Sequence, residues 1–231
     1  MQPAMPSPAS ATTQCWICGS TQKLTREHFP KKADTRRYMK PGQMFRHTAT
    51  RRNQRIQSAA SKLLYLGAPI CESCNTARTQ AHDRAWDAMR DYTLDNWPAI
   101  LAAGELDLQA VYGAAWQARS IDLQLYFVKV LGCAVVHQQI PIAVQPLRDA
   151  LLTGAAHPHL FLMLSDSKPP AGQQPRAMLG AGDLHTFNDA VSGETAAAFW
   201  RYTLQPVSIR MIYALPTYPH RPVSTAWHPS A

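Results

Sequence analysis

Two long stretches of the chain have the periodicity of helices. Between residues 75 and 92, bulky and polar positions fall on one side of a helical wheel and alanines on the other. Between residues 120 and 138, apolar side chains recur at helical spacing with few interruptions, which predicts a mostly buried helix. Weaker helical patterns cover residues 51–66 and 146–152.

Short apolar runs that predict strands dominate the later part of the chain. Val207, Ile209 and Met211 alternate with polar neighbours, which is the period of a half-buried strand. Pro206 separates this run from the one before it and predicts a hairpin. A turn is expected where Trp97-Pro98 and Gly104 interrupt residues 96–104. The predicted strands cover residues 24–29, 160–164, 177–179, 198–204 and 207–213. Helices and antiparallel strands in separate runs predict an α+β fold.

Length and composition limit the class of protein. The chain has 231 residues, 46% of them hydrophobic, which is enough for one large domain or two small ones. Residues 1–14 are rich in proline, alanine and serine, and predict a disordered tail, not a signal peptide. Residues 216–231 contain four prolines and predict an irregular tail. The most apolar window, residues 123–136, is too short to span a bilayer and contains Lys129, so we expect no membrane span.

The positive charge of the chain is concentrated in one block. The formal net charge is +8, but residues 23–62 hold twelve Lys or Arg against two acidic residues, and the remainder holds eleven against thirteen. Such a block is the electrostatic footprint of a polyanion binder, although a solvated charged surface is the common alternative. The arginines of this block that we expect to contact nucleic acid are Arg26, Arg51, Arg52 and Arg55.

Four of the five cysteines have the spacing of metal ligands. Cys15 and Cys18 form one Cys-x-x-Cys pair, and Cys71 and Cys74 form another. Each pair presents two thiolates from one tight turn, so the two pairs together predict a tetrahedral zinc site. This use of cysteine fits a reducing compartment better than a disulfide framework, and we expect a cytoplasmic location.

Residues with acid–base and metal-binding chemistry lie close to these pairs in the sequence. Glu27 and His28 are adjacent between the two pairs, and Asn75 directly follows the second. A carboxylate beside an imidazole is typical of acid–base and metal chemistry. His82 lies on the same side of the predicted helix as Asn75. A surface position for His82, and a role at the helix start for Asn75, are the plainer alternatives.

This arrangement resembles the zinc-stapled members of the HNH endonuclease family, which have a ββα-metal fold of the treble-clef type. The resemblance covers roughly the first 95 residues. It implies an HNH-like domain over residues 15–95 with a basic insertion, followed by a mixed helical and antiparallel-β domain of unknown role over residues 105–215.

The resemblance also implies a mechanism and a set of site residues. His28 would be the general base that activates water, and Arg78 would clamp a phosphate oxygen. Glu27 and Asn75, helped by His82, would hold Mg²⁺ or Mn²⁺. The four cysteines would hold a structural zinc. The expected activity is metal-dependent hydrolysis of phosphodiester bonds in nucleic acid, with DNA as the expected substrate.

The chain departs from the family pattern at one position. Members usually carry an asparagine shortly before the second cysteine pair, which orients the general base, whereas residues 64–70 contain none. Asn53 is a distant substitute. Two alternatives therefore stay open. One is a zinc-stapled module that binds nucleic acid without cutting it, and the other is a structural or interaction protein.

Overall fold

The computed structural model describes residues 13–38, 44–46, 51–167, 179–218 and 226–230. Residues 1–12 of the predicted N-terminal tail (1–14), half of the predicted tail over 216–231 and the start of the predicted strand 177–179 lie outside them. The helices within the described residues are α1 (Lys32–Tyr38), α2 (Gln80–Ala103), α3 (Leu108–Tyr112), α4 (Trp116–Gln138) and α5 (Val144–Thr153). The strands there are β1 (Leu24–His28), β2 (Met44–Arg46), β3 (Gln54–Ile56), β4 (Tyr65–Cys71), β5 (Leu160–Asp166), β6 (Leu179–Ala181), β7 (His185–Asn188), β8 (Thr195–Leu204) and β9 (Val207–Ala214). These elements confirm the α+β class.

The N-terminal part is built on a hairpin followed by a helix. Strand β1 pairs antiparallel with β4, with Leu24 opposite Cys71, and a register irregularity follows Arg26. A π-helical turn, Cys74–Arg78, leads from β4 into α2. The second cysteine pair therefore lies where the hairpin meets the helix, and β1 lies beside both. A separate two-stranded ribbon of β2 and β3 belongs to the basic insertion.

Two predictions for the N-terminal half were wrong. Residues 51–66 do not form an α-helix. Gln54–Ile56 is strand β3, Lys62–Leu64 is a single 3-10 turn, and β4 begins at Tyr65 and buries alternate side chains from Leu66 to Ile70. Residues 96–104 do not form a turn, because α2 continues to Ala103 with Pro98 inside it. The buried Trp97 holds this last part of α2 in the core, and the helix ends at Gly104, whose φ of +75° suits glycine.

Helix α4 is the centre of the molecule. Every residue from Leu123 to Val135 is buried. The helix is therefore covered by protein on all its faces, whereas an amphipathic helix is buried along one face only. By length and hydropathy alone, Leu108–Gln138 is able to cross a membrane, but 78% of its most apolar window is buried inside the protein. Burial of that extent is typical of a core helix in a folded domain.

The C-terminal half contributes an antiparallel sheet in the order β5, β9, β8, β6, with β7 also paired to β8. The predicted hairpin at Pro206 is confirmed, because Leu204 lies opposite Val207 in the register of β8 and β9. Strand β7 was not predicted, since its four side chains are all exposed and have no apolar alternation. Residues 226–230 return to the sheet, where Trp227 forms a bridge with Leu162.

One hydrophobic core connects the two halves of the chain. It includes Trp16 beside the first cysteine pair, Trp86 of α2, Trp200 of β8 and the buried run of α4. A buried polar network lies in the same core. Asp34 of α1 accepts hydrogen bonds from the Trp86 indole at 3.1 Å and from the Tyr202 hydroxyl at 2.6 Å, and it pairs with Arg90.

Candidate metal centre and basic cleft

The first cysteine pair lies in a tight turn closed by backbone hydrogen bonds. The Cys15 amide donates to the Ser20 carbonyl oxygen at 2.7 Å, and the Gly19 amide donates to the Cys15 carbonyl oxygen at 2.8 Å. Gly19 has a φ of +76°, a conformation that glycine adopts without a steric penalty. The turn directs the Cys15 and Cys18 side chains toward β4.

The four cysteines of the two pairs come together into a cluster that could hold a metal ion. The sulfur atoms of Cys15, Cys18, Cys71 and Cys74 all lie within 4.8 Å of one another. Three of the residues are buried and Cys18 is exposed. The Cys74 amide also donates to the Cys71 sulfur at 3.4 Å, an N–H···S contact that stabilises a thiolate. Four sulfur atoms at these separations are able to bind a single metal ion.

The environment shifts the pKa values of Cys18, Cys71 and Cys74 in different directions. Burial raises the pKa of Cys18, but hydrogen bonds from the Ser20 backbone and from the neighbouring thiols outweigh this and lower it to about 7. Burial raises the pKa of Cys71 and of Cys74. Cys133, the fifth cysteine, is buried in α4 and accepts a hydrogen bond from the Trp16 indole at 3.2 Å, so it supports the packing around the cluster.

The predicted metal ligand Glu27 is paired with a lysine of α4. The Lys129 ammonium lies 3.3 Å from a Glu27 carboxylate oxygen and 2.9 Å from an Asp83 oxygen. Burial raises the pKa of Glu27, and Lys129 opposes this. Burial also disfavours the Lys129 ammonium, but Glu27 and Asp83 outweigh it and raise the pKa of Lys129. The Glu27 carboxylate therefore shares one buried ammonium with Asp83.

The other two predicted ligands of the divalent cation have partners of their own. The Asn75 amide donates to the Thr25 hydroxyl at 3.2 Å and to the Arg26 carbonyl oxygen at 3.5 Å. A nitrogen of the buried His82 ring lies 3.0 Å from an Asp122 oxygen on α4, and burial lowers the pKa of His82 although Asp122 opposes this. Within the described part of the chain, the four cysteines are the only group of three or more metal-binding side chains that lie together.

Both ring nitrogens of His28 face backbone carbonyl oxygens. Nδ1 lies 2.5 Å from the Pro30 oxygen and Nε2 lies 2.6 Å from the Ala59 oxygen. The Tyr65 ring contacts the imidazole edge-on, with 4.9 Å between ring centroids. In this geometry each ring nitrogen is directed at a backbone carbonyl oxygen.

A basic cleft of about 1270 Å³ lies against the β1–β4 hairpin and the end of α4. Arg26 and Lys62 line it, together with Tyr65 and His137, and none of the residues that line it is acidic. Burial lowers the pKa of His137, and the positive charges of Arg46 and Arg26 lower it further. Because only cationic or neutral groups surround it, the cleft is electrostatically suited to an anion.

The remaining arginines that we expect to contact nucleic acid are exposed but do not line this cleft. Arg55 lies in β3, opposite the exposed Phe45 of β2, and Arg51 and Arg52 precede the strand. Arg78 is exposed at the end of the π-helical turn. These side chains therefore extend the positive surface around the hairpin.

Sequence reasoning missed the roles of two residues at these sites. Lys129 was visible as a charge within an apolar run, which is a signal for a buried ion pair, but its partners could not be identified from the sequence. His137 enters the cleft only because α4 ends beside β4, where its ring lies so close to Gly67 that a Cβ there would be 2.3 Å from Nδ1. No pattern along the sequence indicates that contact.

In comparisons with known proteins, no family model, curated protein or solved structure matches the chain.

Proposed function

We propose that this protein binds nucleic acid through the basic cleft at a hairpin stapled by a structural zinc ion. The observation that carries the proposal is the cleft itself, which Arg26 and Lys62 line without any acidic residue. Phosphate groups contribute most of the affinity of nucleic acids for proteins, and they require such a surface. The exposed Arg51, Arg52 and Arg55 add sequence-independent contacts around it.

Zinc is the metal that best fits the four cysteines. With a Zn–S distance of about 2.3 Å, sulfur atoms at the corners of a tetrahedron lie about 3.8 Å apart. The Cys18 and Cys71 sulfur atoms are separated by 3.6 Å, and all four lie within 4.8 Å of one another. A site with four thiolates leaves no position for water, so the ion has a structural role.

Metal analysis of the purified protein tests the zinc assignment. We expect about one zinc per chain in protein prepared without chelator, and loss of that zinc in Cys71→Ser/Cys74→Ser. Cys133→Ser is the matched control, because Cys133 is buried but lies outside the cluster, and it should keep the metal. Protein that contains no zinc, or that contains iron instead, contradicts the assignment.

Salt-dependent binding tests the cleft. The affinity for a short DNA or RNA duplex should fall steeply with salt, and Arg26→Ala/Lys62→Ala should reduce the slope of log K against log salt by about 2. The matched control Arg84→Ala/Arg119→Ala removes the same charge from residues that do not line the cleft. An equal loss of affinity in both double variants means that the cleft is not the binding surface.

Two contacts favour binding over cleavage. The Lys129 ammonium lies 3.3 Å from Glu27, so a divalent cation bound by this carboxylate would lie close to a positive charge that repels it. Both His28 nitrogens are engaged by backbone carbonyl oxygens, whereas a general base needs a free lone pair directed at water. The absence of an asparagine before the second cysteine pair is consistent with these contacts.

Metal-dependent cleavage is the second candidate function, and the order of elements favours it. The hairpin β1–β4 leads into α2 through the turn that carries Asn75. The side-chain amide of Asn75 donates to the carbonyl oxygen of Arg26, the residue before Glu27 in β1. This is the order that the resemblance to HNH endonucleases implies. Incubation of supercoiled plasmid with Mg²⁺ or Mn²⁺ separates the two functions. We expect no nicking, whereas nicking that disappears in His28→Ala would establish the second candidate.

A further inference from the structure

The outer face of the C-terminal sheet carries two arginines in direct register. Along β8 and β9, alternate residues such as Tyr202 and Ile209 belong to the main core, so the residues between them face outward. Arg201 on β8 lies opposite Arg210 on β9 on that outer face. Like charges at directly opposed positions of an antiparallel pair destabilise a sheet.

No carboxylate compensates this repulsion within the described residues. Neither guanidinium has an ion pair or side-chain hydrogen bond there, although Asp183 also lines the same hollow. The stretches outside the described residues contain no Asp or Glu, whereas they do contain Lys40, Lys168, Arg176 and Arg221. The positive charge at Arg201 and Arg210 is therefore available to a bound anion.

The two arginines line a hollow of about 580 Å³ that has an aromatic wall. Phe187, which is 49% exposed, contacts Phe199 edge-on at 5.4 Å between ring centroids, and Tyr218 lies 6.3 Å from Phe199. A half-exposed phenylalanine beside unpaired arginines offers a stacking surface next to a phosphate site. A guanidinium binds two oxygens of one phosphate at once, and aromatic rings stack on nucleobases without strong sequence preference.

We propose that this hollow binds a nucleotide unit, with its phosphate on Arg201 and Arg210 and its base on the wall of Phe187. The unit is either a free nucleotide or part of a single strand, since both present a phosphate next to a planar base. The site shares no residue with the basic cleft, so it does not depend on nucleic-acid binding there.

Calorimetric titration of the full chain with inorganic phosphate, AMP and a short oligo-dT tests the proposal. We expect AMP to bind more tightly than phosphate, and Arg201→Gln/Arg210→Gln to weaken AMP at least tenfold. Phe187→Ala should weaken the affinity for AMP several-fold and leave the affinity for phosphate unchanged. Its control is Val191→Ala, at a fully exposed position. If oligo-dT binds more tightly than AMP, the ligand is a single strand. If oligo-dT and AMP bind with equal affinity, the ligand is a free nucleotide.

Two further measurements make the proposal falsifiable. The melting temperature of Arg201→Gln/Arg210→Gln should be equal to or higher than that of the wild type, because the substitution removes a repulsion and no partner. Arg26→Ala/Lys62→Ala should bind AMP normally, which separates failure of this site from failure of the basic cleft. The proposal is overturned if AMP does not bind, binds no better than phosphate, or binds equally well to the double Gln variant.

Discussion

At the scale of single residues, sequence identified the chemistry of the side chains but not their partners. Glu27 and His28 were predicted to act together, since they are adjacent and chemically reactive. In the fold, Glu27 pairs with Lys129 of α4, and His28 contacts the Pro30 and Ala59 carbonyl oxygens. Contacts of this kind depend on how distant segments pack, and the local pattern around a residue carries no information about them.

Replacing Lys129 by methionine tests the strength of its buried ion pairs. The change leaves Glu27 as a buried charge without compensation, so we expect Lys129→Met to lower the free energy of unfolding by about 3–5 kcal/mol. Adding Glu27→Gln should restore more than half of this loss. Urea denaturation measures the free energy of unfolding of the single and the double variant. Lys32→Met, at an exposed position, is the control. A single variant as stable as the wild type contradicts the pairing.

Acid sensitivity is expected from His157. Its ring is fully buried, its Nε2 has no hydrogen-bond partner, and burial together with His159 and His228 lowers the pKa of His157 to about 4. An unfolded histidine takes up a proton near pH 6.5, before the folded one does. Stability should therefore fall by about 3 kcal/mol between pH 6.5 and pH 4 through this group alone.

Stability curves at several pH values measure this effect. His157→Asn removes the titration and keeps an oxygen that can accept the His159 amide hydrogen bond. This variant should lose correspondingly less stability between pH 6.5 and pH 4 than the wild type. His185→Asn, on the exposed strand β7, should follow the wild-type curve. Parallel curves for wild type and His157→Asn would refute the assignment to His157.

At the scale of secondary-structure elements, periodicity predicted the elements with strong burial patterns and failed where packing overrode it. Helix α4 and the β8–β9 hairpin were predicted because their apolar residues recur without ambiguity. Strand β4 was missed because Gly67 and Pro69 break the usual composition of a strand, although Leu66, Ala68 and Ile70 alternate. The extent of α2 was missed because Pro98 normally ends a helix.

The contact between the first cysteine pair and α4 predicts the effect of Gly132→Ala. Alanine inside a helix is normally about 1 kcal/mol more favourable than glycine. At Gly132, however, an added Cβ would lie 2.2 Å from the Trp16 ring. We expect the repacking to outweigh the helix propensity and to lower the free energy of unfolding by about 1–3 kcal/mol.

A double-mutant cycle isolates this contact. Trp16→Phe shortens the ring that meets the new methyl group, so Gly132→Ala should cost less in the Trp16→Phe background than in the wild type. Gly180→Ala is the control, because an added Cβ there meets no atom within 4 Å. If Gly132→Ala stabilises the protein, the ring and the helix are not in contact.

At the scale of the whole molecule, the sequence indicated the composition of each half but not how the halves join. The domains over residues 15–95 and 105–215 stay a prediction, and they share one hydrophobic core. Asp34 connects α1 to Arg90 of α2 and to Tyr202 of β8. Such joining contacts lie between residues far apart in the chain, so no local pattern indicates them.

The shared core predicts that the chain unfolds as one unit and that the metal cluster stabilises the distant sheet. Differential scanning calorimetry should give a single transition, and Cys71→Ser/Cys74→Ser should lower the stability of both halves. Hydrogen exchange locates the effect, because amides of β8 and β9 should lose protection in the variant although they lie far from the cysteines in sequence. Two separate transitions, or unchanged exchange in β8 and β9, would mean that the halves fold independently and that the core contacts contribute little to their coupling.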